Sequence, residues 1–262
     1  MPRERDEEQK ILLATHLQNR SVLSPPQEAG IHVAILMDGN GRWASARGWP
    51  RSEGHRAGVA AVRRVAQAAP QLGISILTLY ALSAHNWQRP ADEVATLMGL
   101  FETFLREDAE HCAALGIRVR VIGRRERLPP SLIAAIDYAE RRTARSENVT
   151  LRIAVDYSAR EAIVRAACGT ASSRTAVTQQ EFARRLGEAT HAGGPSPDVD
   201  LLIRTGGERR LSDFLLWECA YAELVFTSRM WPEFSGADLS AAVHEYEARD
   251  RRFGQIPEAA AG

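Results

Sequence analysis

The 262-residue chain lacks several features that would identify a function at once. Its three cysteines, Cys112, Cys168 and Cys219, are odd in number and widely spread, which argues against a disulfide framework or a CxxC-type zinc site. No segment approaches the roughly 18 apolar residues that span a bilayer, and the first ten residues, MPRERDEEQK, are charged rather than apolar. We therefore expect a soluble, cytoplasmic protein with reduced cysteines and at most a peripheral contact with a membrane.

An excess of charge of one sign is also missing. The 33 Lys and Arg residues balance the 33 Asp and Glu residues, which indicates no general attraction to nucleic acid or to an anionic membrane. The Walker pattern GxxxxGK[ST] does not occur, and no GxGxxG follows a strand-like segment. Nucleotide binding therefore loses its main sequence support, and any basic site must be local.

Strand-like and helix-like segments alternate from residue 31 onward. Strands are predicted at residues 31–37, 74–82, 117–122, 149–155, 201–203 and 224–226. A long helix ending at Gly116 carries the apolar stripe Val94, Leu97, Met98, Phe101 and Leu105. Other helices are predicted near 59–72, 130–146, 159–168 and 178–187, with a last one capped by Asp238.

This alternation predicts one α/β domain whose central, mostly parallel β-sheet has about six strands and is flanked by helices on both faces. The domain should cover residues 31–254. Residues 1–30 should form a mobile N-terminal tail with one short helix near 11–17, and residues 255–262 should form a C-terminal tail.

Three polar loops follow three of the predicted strands. They begin at Asp38, Ser83 and Arg204. Because the carboxyl ends of parallel strands meet at one edge of the sheet, the loops can converge there. They would bring together Asp38, Asn40, Arg42, Arg51, His55, Asn86, Arg89, Arg204, Arg209 and Arg210. Arginine forks and bare glycine backbone suit phosphate recognition, and one carboxylate among them suits Mg²⁺ held together with substrate phosphates. The sequence therefore predicts a diphosphate site.

Each of these features also has a purely structural interpretation. The segment 38–41 could be a simple turn, and His55 a surface residue at the start of a helix. The stripe on the long helix could be ordinary core packing. The arginines of the third loop could belong to a solvated turn, and Glu223 could be a paired surface acid. Whether the three loops converge decides between the interpretations.

The segments HVAILMDGNGRWA, GHRAG, LTLYALSAHNWQRP, LLIRTGGERRLSDFLLWECAYAEL, WPEF and RDRRFG occur in this order between residues 31 and 254. Together they resemble the cis-prenyltransferase family, and most closely its bacterial undecaprenyl diphosphate synthases. The resemblance implies a homodimeric catalytic domain with a hydrophobic tunnel beside a diphosphate site, and peripheral membrane contact at the inner face of the cell membrane for product release. It implies Mg²⁺-dependent chain elongation, in which C1 of an allylic diphosphate such as farnesyl diphosphate couples to C4 of isopentenyl diphosphate. Loss of diphosphate and of a proton leaves a new cis double bond.

The resemblance also implies roles for individual residues. Asp38 would be the essential carboxylate that brings in Mg²⁺, with Glu223 as the second metal-linked acid. The allylic diphosphate would be held by Gly39, Asn40, Gly41, Arg42, Arg51 and His55, supported by Arg89. Isopentenyl diphosphate would be held by Arg204, Arg210 and Ser212, with Leu211 beside them. Ser83 and Asn86 stand where the family places residues implicated in proton removal, and Asn86 is the predicted catalytic one. Trp43, Ala84, His85 and Trp87 would complete the substrate pocket, and the stripe on the long helix would line the tunnel.

Some positions depart from the family pattern. His85 stands where glutamate is common, so metal handling, pH dependence or the allylic partner can differ. The segment DYSAR at 156–160 replaces an asparagine-tyrosine-glycine-glycine-arginine pattern, and Ser228 stands where an acid is frequent. Short-chain members of the family often carry a bulkier residue at the position of Ala81, so the resemblance implies a tunnel that is not blocked early.

The main hypothesis is a synthase that makes a long-chain Z-polyprenyl diphosphate. A specialised enzyme that makes short-chain or branched terpenoid diphosphates is the first alternative, motivated by His85. A non-catalytic polyprenyl-binding accessory subunit is the second. The presence of Asp38, Arg204 and Arg210 argues against it, because an inactive partner has no need of a complete diphosphate site.

Overall fold

The computed structural model of the protein describes residues 30–168 and 177–249. Its strands are β1 (Ile31–Leu36), β2 (Ile74–Tyr80), β3 (Ile117–Ile122), β4 (Val149–Ala154), β5 (Leu201–Arg204) and β6 (Glu223–Phe226). Its helices are α1 (Asn40–Ser45), α2 (Arg51–Ala68), α3 (Ala91–Ala114), α4 (Pro130–Arg142), α5 (Ala159–Cys168), α6 (Gln179–Ala189) and α7 (Gly236–Glu247). Single 3-10 turns cover Ala69–Leu72, Ala84–Gln88 and Trp231–Glu233.

The six strands form one sheet in the order β3-β4-β2-β1-β5-β6, and all neighbouring strands are parallel. Leu36 at the end of β1 lies opposite Tyr80 on one side and Arg204 on the other. The loops that leave β1, β2 and β5 therefore begin at the same level of one sheet edge. The predicted α/β fold with a six-stranded parallel sheet is confirmed.

Both faces of the sheet are covered. Val33 and Ile35 point to a core shared with α2, α3, α4 and α7, whereas Ala34 and Leu36 point to a second core that contains Phe214. Strand β1 is thus buried on both faces, which explains why its sequence is apolar apart from His32 and does not alternate. Among residues 30–168 and 177–249, no helix is both long and apolar enough to cross a membrane.

Two local predictions are corrected by the structure. The segment that follows Gly39 is helix α1 rather than a loop. Gly39 takes the left-handed conformation (φ 108°), which allows the helix to begin at Asn40. Helix α7 is capped by Ser235, not by Asp238. Asp238 lies three residues into the capping box, where its carboxylate accepts from the backbone N–H of Ser235 at 2.9 Å.

Three sequence predictions lie outside the described residues. They concern the N-terminal tail with its short helix at 11–17, the last residues of the domain at 250–254, and the C-terminal tail at 255–262.

Candidate active site

A cavity of about 750 Å³ opens at the carboxyl edge of the sheet, where the three polar loops meet. Most of the residues predicted for the site line it. They are Asp38, Gly39, Asn40, Gly41, Arg42, Arg51, His55, Ser83, His85, Asn86, Arg89, Arg204, Arg210 and Ser212. The loops therefore converge, and the interpretation of each loop as an isolated turn is wrong.

Asp38 lies between two arginines at the centre of the rim. Its Oδ1 accepts a hydrogen bond from Arg42 Nη2 at 3.1 Å, and its Oδ2 accepts one from Arg204 Nη2 at 3.0 Å. Burial raises the pKa of Asp38, but the hydrogen bonds from Arg204 and Arg42 outweigh it and hold this pKa below its ordinary value. Asp38 is therefore ionised at neutral pH.

Thr205, which the sequence analysis missed, fixes the backbone of Asp38. The Thr205 hydroxyl accepts from the Asp38 N–H at 2.9 Å and donates to the Asp38 carbonyl at 2.7 Å. It is fully buried between the ends of β1 and β5. The only signal for it in the sequence is its place directly after Arg204.

A second basic group surrounds Glu93 in the first turn of α3. Its carboxylate accepts from Arg89 Nη1 at 3.0 Å and lies 3.4 Å from both His55 Nε2 and Arg51 Nε. Burial raises the pKa of Glu93, but the hydrogen bond and charge of Arg51 outweigh it and lower the pKa below its ordinary value. Burial lowers the pKa of His55 despite the nearby carboxylate. At neutral pH Glu93 is therefore ionised and His55 is neutral.

The third loop holds Arg204 from its other side. Arg204 Nη1 donates to Ser212 Oγ at 2.7 Å and to the carbonyl oxygen of Arg210. Only 5% of the Arg204 side chain is exposed, whereas Arg210 is exposed and paired with Glu208 at 2.5 Å. Arg204 thus joins the first and third loops through one guanidinium group.

Two glycines leave room for the guanidinium groups of Arg51 and Arg42. A Cβ on Gly41 would lie 2.5 Å from Arg51 Nη1, and a Cβ on Gly206 would lie 2.7 Å from Arg42 Nη2. Any side chain at either position would displace an arginine from the rim.

The second loop is held by the segment that follows β4. The Ser83 N–H donates to Asn86 Oδ1 at 3.0 Å, and Ser83 pairs with Tyr157 in a parallel bridge. Trp87 does not line the cavity but lies under Arg127, whose guanidinium carbon is 5.1 Å from the centre of the indole. Arg127 Nε in turn donates to buried Asp156 at 3.0 Å. Asp156 stands where the family pattern has asparagine, and its carboxylate serves to bind Arg127.

Three other predicted substrate-binding residues lie off the cavity: Trp43, Ala84 and Leu211. Glu223, the predicted second metal-linked acid, does not line it either. Trp43 donates from Nε1 to Glu233 at 3.0 Å instead. Arg209, predicted for the rim, does not line the cavity either.

Glu223 lies at the opposite edge of the sheet from Asp38. It begins β6 opposite Leu201, whereas Asp38 follows Leu36, which lies opposite Arg204. At least three residues of strand, roughly 10 Å, separate the two levels. The Glu223 carboxylate accepts from Arg249 Nη1 at 2.6 Å. The two acids predicted to share a metal are therefore not together within one chain, and the described residues contain no cluster of three or more His, Cys, Asp or Glu suited to a metal.

The inner wall of the cavity is apolar. Leu97, Met98 and Phe101 of α3 line it, whereas Val94 and Leu105 of the same stripe pack in the core. Ala81 lies on the wall as well. Some residues of the stripe therefore line the cavity and others pack in the core, so both interpretations of the stripe hold in part. A continuous tunnel stays a prediction.

Known proteins are similar to this chain in sequence and in fold. A family model that describes undecaprenyl diphosphate synthase matches residues 36–254. Isoprenyl transferase 1 of Bradyrhizobium diazoefficiens is 53% identical over 227 residues, which cover 86% of this chain and 90% of the relative. An isoprenyl transferase of Caulobacter vibrioides is 44% identical over 234 residues, covering 88% and 90% of the two chains. The solved structure of lavandulyl diphosphate synthase from Lavandula x intermedia, in complex with dimethylallyl diphosphate, matches with a TM-score of 0.80 at 37% identity, covering 88% of this chain and 100% of that one.

Proposed function

This chain belongs to the cis-prenyltransferase family of isoprenyl transferases, and we propose that it condenses isopentenyl diphosphate with farnesyl diphosphate into a long-chain Z-polyprenyl diphosphate. One observation carries the proposal: a single cavity has an arginine-rich rim and an apolar inner wall. A diphosphate needs the first and an isoprenoid chain needs the second.

The basic groups of the rim suit the stabilisation of a leaving diphosphate. Separation of an allylic cation from diphosphate builds negative charge on the leaving group, so fixed positive donors lower the barrier. We assign Arg42, Arg51 and Arg89 to this diphosphate, with neutral His55 as a further N–H donor. Ionised Glu93 holds Arg51, Arg89 and His55 in position before the substrate binds.

The third loop suits the second substrate. We assign Arg204, Arg210 and Ser212 to the diphosphate of isopentenyl diphosphate. Asn86, which faces the same cavity and is fixed by its bond to Ser83, is assigned to proton removal with Ser83.

The donor set of the rim fits Mg²⁺ with one protein carboxylate. Mg²⁺ is typically held by one or two carboxylates plus substrate phosphates, and Asp38 is partly exposed, with each oxygen engaged by one arginine bond. Asp38 would hold the ion. When bound, Mg²⁺ would neutralise charge on the diphosphate.

An elongation assay tests the proposal. The protein is incubated with farnesyl diphosphate, labelled isopentenyl diphosphate and Mg²⁺, with EDTA in a parallel sample. We expect long products that extract into butanol, and none with EDTA. Absence of elongation with every allylic primer would contradict the proposed function.

A short-chain or branched product is the second candidate. The similarity to lavandulyl diphosphate synthase favours it, as does His85, which is exposed in the cavity where the family commonly has glutamate. Chromatography of the products formed from dimethylallyl diphosphate alone tests for a branching enzyme, because elongation of any length also consumes isopentenyl diphosphate. Product length after isopentenyl diphosphate is added separates a short-chain enzyme from a long-chain one. An accessory subunit without catalysis is disfavoured by the intact rim.

We also propose a cytoplasmic homodimer that contacts the membrane peripherally to release its product. Tyr221, which precedes edge strand β6, is 74% exposed, and Leu224 on that strand is 37% exposed. Both are available to a second copy. Sedimentation equilibrium should give twice the chain mass of 28.9 kDa, and a single-chain mass would contradict the dimer. Co-sedimentation with anionic liposomes tests the membrane contact, and an unbound protein would argue against it.

A further inference from the structure

Asp213 lines the cavity directly after Ser212, and the assignments above give it no role. It belongs to a turn with unusual backbone geometry. Ser212, Asp213 and Leu215 have φ values of 49°, 62° and 46°. Residues other than glycine, Asn and Asp rarely enter this left-handed region, so the surrounding contacts must hold the turn.

Those contacts come from the start of α5. Asp213 Oδ2 accepts from Ser158 Oγ at 2.6 Å, and Oδ1 accepts from the Arg160 N–H at 2.8 Å. The Asp213 carbonyl accepts from the Ala159 N–H at 3.1 Å. Ser158 Oγ also accepts from the Glu161 N–H at 3.2 Å, so it joins the helix end to the turn. A carboxylate is favoured beside the first N–H groups of a helix.

The other side of the turn is anchored by an aromatic stack. Phe214 is fully buried and stacks on Tyr80, with ring centres 4.4 Å apart and planes 8° from parallel. The turn is therefore fixed at Asp213 and Phe214, which leaves Ser212 one defined position.

That position matters because Ser212 and the Arg210 carbonyl both hold Arg204 Nη1. Arg204 Nη2 extends the same guanidinium to Asp38. A change in the turn would therefore move the group that we assign to the isopentenyl diphosphate.

We propose that Asp213 is a positioning residue for isopentenyl diphosphate: by binding Ser158 and the Arg160 N–H, it holds the left-handed turn that sets Ser212, Arg210 and Arg204. The inference rests on the proposed function. It predicts a larger effect on this substrate than on the allylic one, because three of the four groups assigned to the allylic diphosphate, Arg51, His55 and Arg89, are held by Glu93, away from this turn.

Steady-state kinetics of Asp213→Ala and Asp213→Asn test the proposal. We expect Asp213→Ala to raise the KM for isopentenyl diphosphate about tenfold or more, since two hydrogen bonds to a charged group are lost, with the KM for farnesyl diphosphate changed less than about twofold. Asparagine adopts the left-handed conformation and retains an acceptor for the Arg160 N–H, so it should recover most of the loss. Glu107→Ala, at a 65% exposed acid off the cavity, is the matched control.

Equal rises in both KM values, or an unchanged KM for isopentenyl diphosphate in folded Asp213→Ala, would overturn the inference. Circular dichroism verifies the fold, and if Asp213→Ala does not fold, Ser158→Ala removes one of the same bonds from the other side and should raise the same KM several-fold. If the native protein elongates no primer, the proposed function fails. Calorimetric titration with isopentenyl diphosphate alone then decides the inference, which requires weaker binding to Asp213→Ala than to the native protein.

Discussion

Replacement of Arg204 by lysine should lower activity although the charge is retained. The guanidinium group binds Asp38 through Nη2 at 3.0 Å and Ser212 through Nη1 at 2.7 Å, and a single ammonium group cannot reproduce this fork. At least one hydrogen bond to a charged group is lost, at about 1.5–3 kcal/mol. Because about 1.36 kcal/mol corresponds to a factor of ten, kcat/KM for isopentenyl diphosphate should fall about 10- to 150-fold.

The measurement is incorporation of labelled isopentenyl diphosphate at saturating farnesyl diphosphate and Mg²⁺. Arg209→Lys is the control, because Arg209 is exposed in the same loop but does not line the cavity, and it should stay within about twofold of the native value. A native kcat/KM for Arg204→Lys, or an equal loss in Arg209→Lys, would refute the argument from the fork.

Three further predictions concern other parts of the chain. Asp38→Ala should abolish turnover while the circular dichroism spectrum stays native, and a near-normal rate would remove its assigned role. Glu93→Gln should raise the KM for the allylic diphosphate about three- to tenfold, because the charge that holds Arg51, His55 and Arg89 is lost; an unchanged or lower KM would contradict this. Burial and the charge of Arg152 lower the pKa of His32 to about 3, so between pH 6.5 and 3 the unfolded chain binds a proton that the native protein does not. The free energy of unfolding should therefore fall with decreasing pH, by up to about 1.4 kcal/mol per pH unit from this group. Urea titrations of His32→Gln should show a shallower fall, and an identical slope would exclude His32 as a cause.

The fold could be predicted because burial leaves a direct mark on the sequence. Strand β1 is buried on both faces, and its sequence is therefore apolar at every position except His32. Once all strands are taken as parallel, the convergence of the loops after β1, β2 and β5 follows from topology alone. These two steps needed no knowledge of side-chain contacts.

The contacts within the site could not be predicted in the same way. Arg89 precedes the first residue of α3, and nothing in the sequence shows that it reaches the Glu93 carboxylate together with Arg51 and His55 of α2. The separation of Glu223 from Asp38 could not be predicted either. Its place relative to Asp38 depends on the register between β5 and β6, which a resemblance in sequence does not reveal.

The pairing of the rim arginines explains how a chain of zero net charge can hold an anion site. Arg42 is 46% exposed and is paired with Asp38. An exposed pair of this kind contributes about 0–1 kcal/mol, so a diphosphate can bind the Arg42 guanidinium group at little cost. Arg204 is only 5% exposed, and breaking its pair would leave a buried charge without a partner, which is far more costly. Arg42 is therefore free to exchange Asp38 for substrate, whereas Arg204 keeps its bond to Asp38 while it contacts isopentenyl diphosphate, and so holds the carboxylate at the centre of the rim in place.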